Sequence, residues 1–309
     1  MKKTKIQGKA LAAGLLAAGL CGTQTSQAQW TYTGDYLKVG VGSGGSIIDP
    51  NTFTGIQYSA TGFPAINNDI ITPGTPYQFF SVGVNGSYGV SSYNDGNSLG
   101  GSAVNTSSGG NFSTLTTGNY GGVSFSQTLS LAKNSTVISF GMTLKNNTGS
   151  TIPNVAFASG FDPDPDVYQY GSYFTLNNIL SKSVVQASGP DTGNTILIQA
   201  LTGGDVPSIV QGWPYDNPYG LLSGSFSGTS VVGANDNGDY DISEAWAVGD
   251  LAPGQTETID YNYIINATPV TTNSPVLGTA PDMGSTFGML GFALAGLNCC
   301  KRFIARKRN

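Results

Sequence analysis

The segment Phe161-Asp162-Pro163-Asp164-Pro165-Asp166 carries a carboxylate at every second position. In an extended strand Asp162, Asp164 and Asp166 project to one side, about 6–7 Å apart. Each proline holds the residue before it in an extended or polyproline conformation. Three carboxylates so placed repel one another unless a cation sits among them, and a set of oxygen ligands suits Ca²⁺. A polyproline helix would splay them by its threefold period instead. The plain alternative is a solvated acidic turn whose prolines only end a strand ladder. A second acidic stretch, Asn235-Asp236-Asn237-Gly238-Asp239-Tyr240-Asp241 with Glu244 beyond, looks like a calcium loop. It misses the EF-hand spacing, because with Gly238 at the sixth position the first falls on Gly233, which has no side-chain oxygen. Asn237-Gly238-Asp239 is instead predicted to be a hairpin tip. The two stretches share a site only if they meet at one end of the fold.

A third candidate lies in Gln211-Gly212-Trp213-Pro214-Tyr215-Asp216-Asn217-Pro218-Tyr219-Gly220. Proline and glycine keep this stretch in a loop, so that Trp213, Tyr215 and Tyr219 can face water. Exposed aromatic rings beside Asp and Asn stack on sugars and bond their hydroxyls. The competing reading is that Trp213 plugs the open end of the body, where its ring would be buried. Tyr168, Tyr170 and Tyr173 share the sugar reading more weakly.

Absences narrow the chemistry further. The chain has no histidine, and its three cysteines, Cys21, Cys299 and Cys300, all lie near the ends. Ser-His-Asp and Cys-His catalysis are therefore excluded, as are imidazole zinc sites. Only carboxylates remain for catalysis, as in glycoside hydrolysis, and no pair stands out among the many Asp residues. Glu244 and Glu257 are the only glutamates. The sequence expectation is thus a protein that is not an enzyme.

The ends read as addresses. Lys2, Lys3, Lys5 and Lys9 precede the Ala/Leu/Gly run 10–20, and Ser26-Gln27-Ala28 follows. A basic region, a short apolar run and a small-residue site form a secretory signal, cleaved after Ala28. The run is too short to span a membrane. Acylation at Cys21 is the alternative, with Leu20 where a small residue belongs. At the other end Pro281-Asp282-Met283-Gly284-Ser285-Thr286 precedes the apolar stretch 287–297, and Lys301, Arg302, Arg306, Lys307 and Arg308 close the chain. This order of motif, apolar helix and basic stop would hold the body outside the membrane. It resembles the PEP-CTERM sorting signals that exosortases process, most closely the Val-Pro-Asp-Ser-Gly-Ser-Thr variant. Pro281, Asp282, Gly284, Ser285 and Thr286 match, while Ala280 and Met283 replace Val and Ser. The resemblance covers residues 280–309 and implies an exosortase-type partner, transient membrane contact through the C-terminal helix, and delivery to the cell surface, outer membrane or extracellular matrix. Association with exopolysaccharide or biofilm matrix is implied with it.

Between the signals, from Gln29 to Asp282, four lysines (Lys38, Lys133, Lys145 and Lys182) face all eighteen acids, a net charge of −14 with no arginine. Such a surface repels nucleic acid and anionic lipid, and nucleic-acid partners are excluded. Apolar residues there alternate with period two. Val123, Phe125, Leu129 and Leu131 share one phase, as do Ile138, Phe140, Met142 and Leu144, and Ile259, Tyr261, Tyr263 and Ile265. Alternation of this kind buries one face of a strand. Turns at 146–149 and at Ala252-Pro253-Gly254-Gln255 separate the strands. The stretch 86–120, rich in Gly, Ser and Asn, is predicted to be long loops and weak edge strands.

The expected fold is all-β: a large antiparallel β-sandwich over 29–270, flanked by an N-terminal signal helix (1–28) and a C-terminal hydrophobic helix (280–309), with a linker at 271–279. The layout from Lys145 to Asn266 resembles the β-sandwich bodies of exported, anchor-bearing bacterial proteins. It shares a strand ending in Leu144-Lys145-Asn146-Asn147-Thr148-Gly149, an Asp-rich turn, and Asp250 to Gln255 before a last long strand. That resemblance implies architecture alone.

Overall fold

The computed structural model describes residues 29–63, 68–212 and 215–266. Both terminal signals, the linker and Trp213 lie outside the described residues. So do the two flanking helices expected from the sequence. Among the described residues no helix is long and apolar enough to cross a membrane.

The body is built from two large antiparallel sheets and one small one. The seven-stranded sheet runs, edge to edge, through β16 (Gly228–Thr229), β15 (Val206–Val210), β17 (Asp241–Leu251), β11 (Ile152–Phe161), β4 (Gln78–Val84), β5 (Ser87–Ser92) and β6 (Gly96–Asn97). The eight-stranded sheet runs through β12 (Leu176–Ser181), β13 (Val184–Ser188), β14 (Thr195–Ala200), β18 (Thr256–Ile265), β10 (Val137–Asn146), β9 (Val123–Leu131), β8 (Phe112–Tyr120) and β7 (Ser102–Asn105). A small sheet of β1 (Trp30–Thr33), β2 (Leu37–Val41) and β3 (Ile56–Tyr58) adds to the same apolar core.

Period two explains how the sheets face each other. Ile138, Phe140, Met142 and Leu144 of β10 and Ile259, Tyr261, Tyr263 and Ile265 of β18 are buried, and meet Phe157 and Phe161 of β11 and Trp246 of β17. Phe140 stacks on Tyr261 at 4.6 Å, and Phe161 meets Tyr263 edge-on at 4.7 Å. Aromatic pairs in these geometries add stability beyond the area they bury. The Tyr263 hydroxyl, fully buried, shares a 2.7 Å hydrogen bond with the Ser159 hydroxyl and accepts one from the Gln78 amide at 3.2 Å.

Two expectations are corrected by the strand pattern. The stretch 86–120 does supply the short edge strands β6 and β7, as expected, but it also contains β8, a nine-residue strand paired along its length with β9. Its inward positions carry Phe112, Thr114 and Thr116, all buried, and the two threonines break up the large apolar signature that betrays its neighbours. The Asn237-Gly238-Asp239 hairpin is absent. That stretch instead runs along the edge of β12, bridged at Asn178–Asn235 and Thr175–Gly238.

The body also holds two short helices, α1 (Val167–Tyr170) and α2 (Pro218–Ser223). Helix α2 opens with Asn217, whose side chain accepts from the N–H groups of Tyr219 and Gly220, and has Pro218 at its first position. Both are standard helix-start chemistry. Leu221 seats it on the outer face of the seven-stranded sheet, against Phe79, Ala158, Val210 and Ala245.

Candidate metal centre

The site follows from strand alternation. Phe161 of β11 and Ile242 of β17 are cross-strand partners, and both point into the core. The residue after the first is Asp162 and the residue before the second is Asp241. Period two therefore turns both carboxylates to the outer face, side by side. Beyond Asp162 the strand ends, and the chain is held by hydrogen bonds from the Asp162 N–H to the Tyr77 carbonyl at 3.1 Å and from the Asp164 N–H to the Ile70 carbonyl at 2.6 Å. Asp164 is thereby brought back over the same spot.

The fourth acid arrives from the stretch along β12. Thr175 and Gly238 exchange both backbone hydrogen bonds, at 2.9 and 3.0 Å, and Asn237 accepts from the Asn177 N–H at 3.0 Å. Gly238 is required there, because a Cβ would lie 2.5 Å from the Tyr240 ring. The residue that follows, Asp239, is thus set beside Asp162 and Asp164.

One carboxylate oxygen from each of Asp162, Asp164 and Asp239 lies within 4.8 Å of the others. The three line a pocket of ≈ 300 Å³ with Asp241, Gly74, Thr75 and Tyr173, and none of the lining residues is basic. Asp241 is 1 % exposed, and neither of its carboxylate oxygens has a hydrogen-bond partner. One oxygen each of Asp162 and Asp164 is also buried without a partner. Buried polar groups in folded proteins are nearly always paired, and an exception calls for an explanation.

Electrostatics agrees with the geometry. Burial, then the Asp239 charge, pushes Asp162 up to about 7. Burial, then Asp162 and Asp239, pushes Asp164 up to about 9. Burial raises Asp239, and burial followed by the charges of Asp162, Asp239 and Asp164 holds Asp241 well above the usual carboxylate range. Protons or a cation must compensate these charges. Two oxygens on opposite sides of one Ca²⁺ are about 4.6–5.2 Å apart, and across Mg²⁺ only about 4.2 Å. Oxygens that lie within 4.8 Å of one another can share one such ion.

Of the three acids singled out in the Asp-Pro repeat, Asp162 and Asp164 share the pocket and Asp166 does not. The expectation that Asp166 completes a three-Asp ligand set is corrected. The chain turns into α1 at that point, and the Asp166 carboxylate accepts from the N–H groups of Asp191 and Thr192, at 2.8 and 3.0 Å, and from the Thr192 hydroxyl. Its oxygens are committed to the 189–194 loop. The members that reading missed are Asp239 and Asp241, of the other acidic stretch. Their alternation with Tyr240 was the available signal.

The aromatic candidates divide likewise. The Tyr215 hydroxyl donates to the Ser225 carbonyl and its ring packs on Phe226. The Tyr219 hydroxyl donates to the Asn154 carbonyl at 2.6 Å, and its ring lies over Gly83. Both half-buried rings fasten α2 to the sheet and do not stand free as a sugar platform. Tyr173 does line the acidic pocket. Its ring rests on Gly74, where a Cβ would approach within 2.8 Å.

No family model and no curated protein matches the chain. Solved structures do. A candidate aldose 1-epimerase from Escherichia coli K12 is 13% identical with a TM-score of 0.45, covering 77% of this chain and 99% of that one. A galactose mutarotase related enzyme from Lactobacillus acidophilus is 11% identical with a TM-score of 0.42, over 78% and 98%. A bacterial glucoamylase complexed with acarbose is 10% identical with a TM-score of 0.49, over 78% of this chain and 32% of that one. At these values no residue role passes from them to this chain. The expectation that the chain is not an enzyme is nevertheless corrected. These neighbours are carbohydrate-active enzymes by name. The expectation rested on the lack of a distinguished carboxylate pair, and the fold gathers four carboxylates in one pocket.

Proposed function

We propose that this protein is an exported glycan-recognition β-sandwich whose acidic pocket binds Ca²⁺ and, through the ion and Tyr173, a sugar. One observation carries the reading: three buried carboxylates with oxygens left unpaired, Asp162, Asp164 and Asp241, converge with the exposed Asp239 beside an aromatic ring in a pocket open to ligand. Asp162, Asp164 and Asp239 hold the ion, and Asp241 lies behind them as a further negative charge. A Ca²⁺ ion takes six to eight oxygens, so positions remain for sugar hydroxyls, while a pyranose face stacks on Tyr173. The terminal signals supply the address in this reading. The 1–28 segment exports the chain, and the PEP-CTERM-like tail delivers it through an exosortase to the surface or the exopolysaccharide matrix.

The test is affinity electrophoresis in gels carrying soluble polysaccharides, with Ca²⁺ and with EDTA. Retardation is expected with Ca²⁺ alone and is lost in Asp164→Asn. Equal migration of wild type and variant in every gel would sink the reading.

A second reading is favoured by two buried carboxyl groups, Asp162 and Asp164, lining the same pocket. One carboxyl protonated and one ionised near neutral pH is the pairing that hydrolyses glycosidic bonds. It predicts release of reducing ends from a polysaccharide, abolished in Asp162→Asn and undiminished by EDTA.

A further inference from the structure

Between the pocket and β12 the chain forms an arch, residues 165–175, clamped at both ends. At the near end the buried Asp166 holds the N–H groups of Asp191 and Thr192 and the Thr192 hydroxyl. At the far end the fully buried Thr175 donates its N–H to the Gly238 carbonyl at 2.9 Å and its hydroxyl to the same oxygen at 2.8 Å. Between the clamps the rings face water: Tyr168, Tyr170, Tyr173 and Phe174 are 44%, 53%, 41% and 46% exposed. A loose loop would fold such rings onto the body to recover their apolar burial, whereas a clamped one keeps them out. A concentration of exposed apolar surface marks a place of contact. Tyr173 belongs to the arch and also lines the carboxylate pocket, so the two surfaces are continuous.

We infer that the arch supplies additional sugar subsites, and that the ligand of the pocket is a run of several sugars in a polysaccharide chain rather than a free monosaccharide. This rests on the glycan reading of the pocket. Chemistry favours a glycan over a lipid surface. The arch adjoins four carboxylates and no base lines the pocket, so anionic headgroups are repelled. Three of the four rings are tyrosines, whose faces stack on sugars while their hydroxyls bond sugar hydroxyls or water.

The experiment is calorimetric titration of the full chain, loaded with Ca²⁺, with cello-, chito- and galacto-oligosaccharides of increasing length from two sugars to six. In the series that binds, affinity is expected to rise about tenfold from the disaccharide to the hexasaccharide, equivalent to ~1.4 kcal/mol. The double variant Tyr168→Ala/Tyr170→Ala should flatten that rise and leave the disaccharide affinity and the Ca²⁺ titration unchanged. Asp164→Asn should lose binding at every length. A wild type that binds all lengths equally overturns the inference and leaves the pocket reading standing, as does a rise that survives in the double variant. Binding of Ca²⁺ without any oligosaccharide overturns both. Sedimentation with phosphatidylcholine vesicles that the double variant loses would assign the arch to a membrane and overturn the inference.

Discussion

Asp69 and Asp241 are both buried aspartates, 2% and 1% exposed, and the fold treats them in opposite ways. The Asp69 carboxylate accepts four backbone N–H groups, from Gly55, Ile56, Ile71 and Thr72, at 2.8–3.2 Å. Burial raises it on balance, and the hydrogen bonds from Gly55, Ile71, Thr72 and Ile56 offset part of that rise. Asp241 has no donor on either oxygen and stands among other carboxylates that raise it further. Folding accounts for the first charge with the chain's own backbone. It leaves the second to something brought from outside. Asp69 also fastens the start of the loop that carries Gly74 and Thr75 to the pocket, so the satisfied carboxylate positions a wall of the unsatisfied cluster.

The comparison breaks most visibly at Asp69. Asp69→Ala leaves four buried N–H groups without an acceptor and should cost about 3–5 kcal/mol in urea unfolding, with or without Ca²⁺. Asp241→Asn should cost far less in EDTA, because it removes a charge that its neighbours oppose. A large loss in Asp241→Asn and none in Asp69→Ala would invert the argument.

A second unpaired acid sharpens it. Glu244 is fully buried without a partner on either oxygen, and burial, then Asp205, pushes it up to about 9. The folded state thus keeps a proton that the unfolded chain gives up near pH 4.5. Glu244 should lower stability progressively from about pH 4.5 to about pH 9, with no contribution below that window. In Glu244→Gln the decline should shrink by about 2–4 kcal/mol, read from unfolding curves at pH 5 and pH 8.5. Parallel pH profiles for the two proteins would contradict this.

Metal addition comes next in size. Ca²⁺ at a hundredfold excess over its Kd should stabilise the wild type by about 2.7 kcal/mol, a shift of several degrees in Tm, and EDTA should reverse it. Asp164→Asn should abolish the shift and Asp166→Asn should retain it. The reverse outcome would return the site to the Asp-Pro repeat. The smallest effect concerns the α2 region. Tyr219→Phe removes the hydroxyl bond to the Asn154 carbonyl and should cost ~1 kcal/mol with Ca²⁺ binding unchanged.

The sequence by itself determined the faces of the long strands. Ile259, Tyr261, Tyr263 and Ile265 had to share one side because side chains on a strand alternate, and their burial follows from that. It also marked both acidic stretches, since an Asp-Pro repeat and a run of Asn and Asp are unusual in any strand. Strand β8 escaped because Thr114 and Thr116 fill inward positions that apolar residues usually hold. Tertiary structure alone decided which acids meet. Asp162 and Asp239 are far apart along the chain and are brought together by the pairing of β11 with β17 and by the bridges along β12. It alone separated Asp164 from Asp166, two residues away, because one is held to the Ile70 carbonyl and the other to the 189–194 loop. Local sequence sets conformation and charge, but non-local strand pairing sets the distances between charges, and those distances make the site.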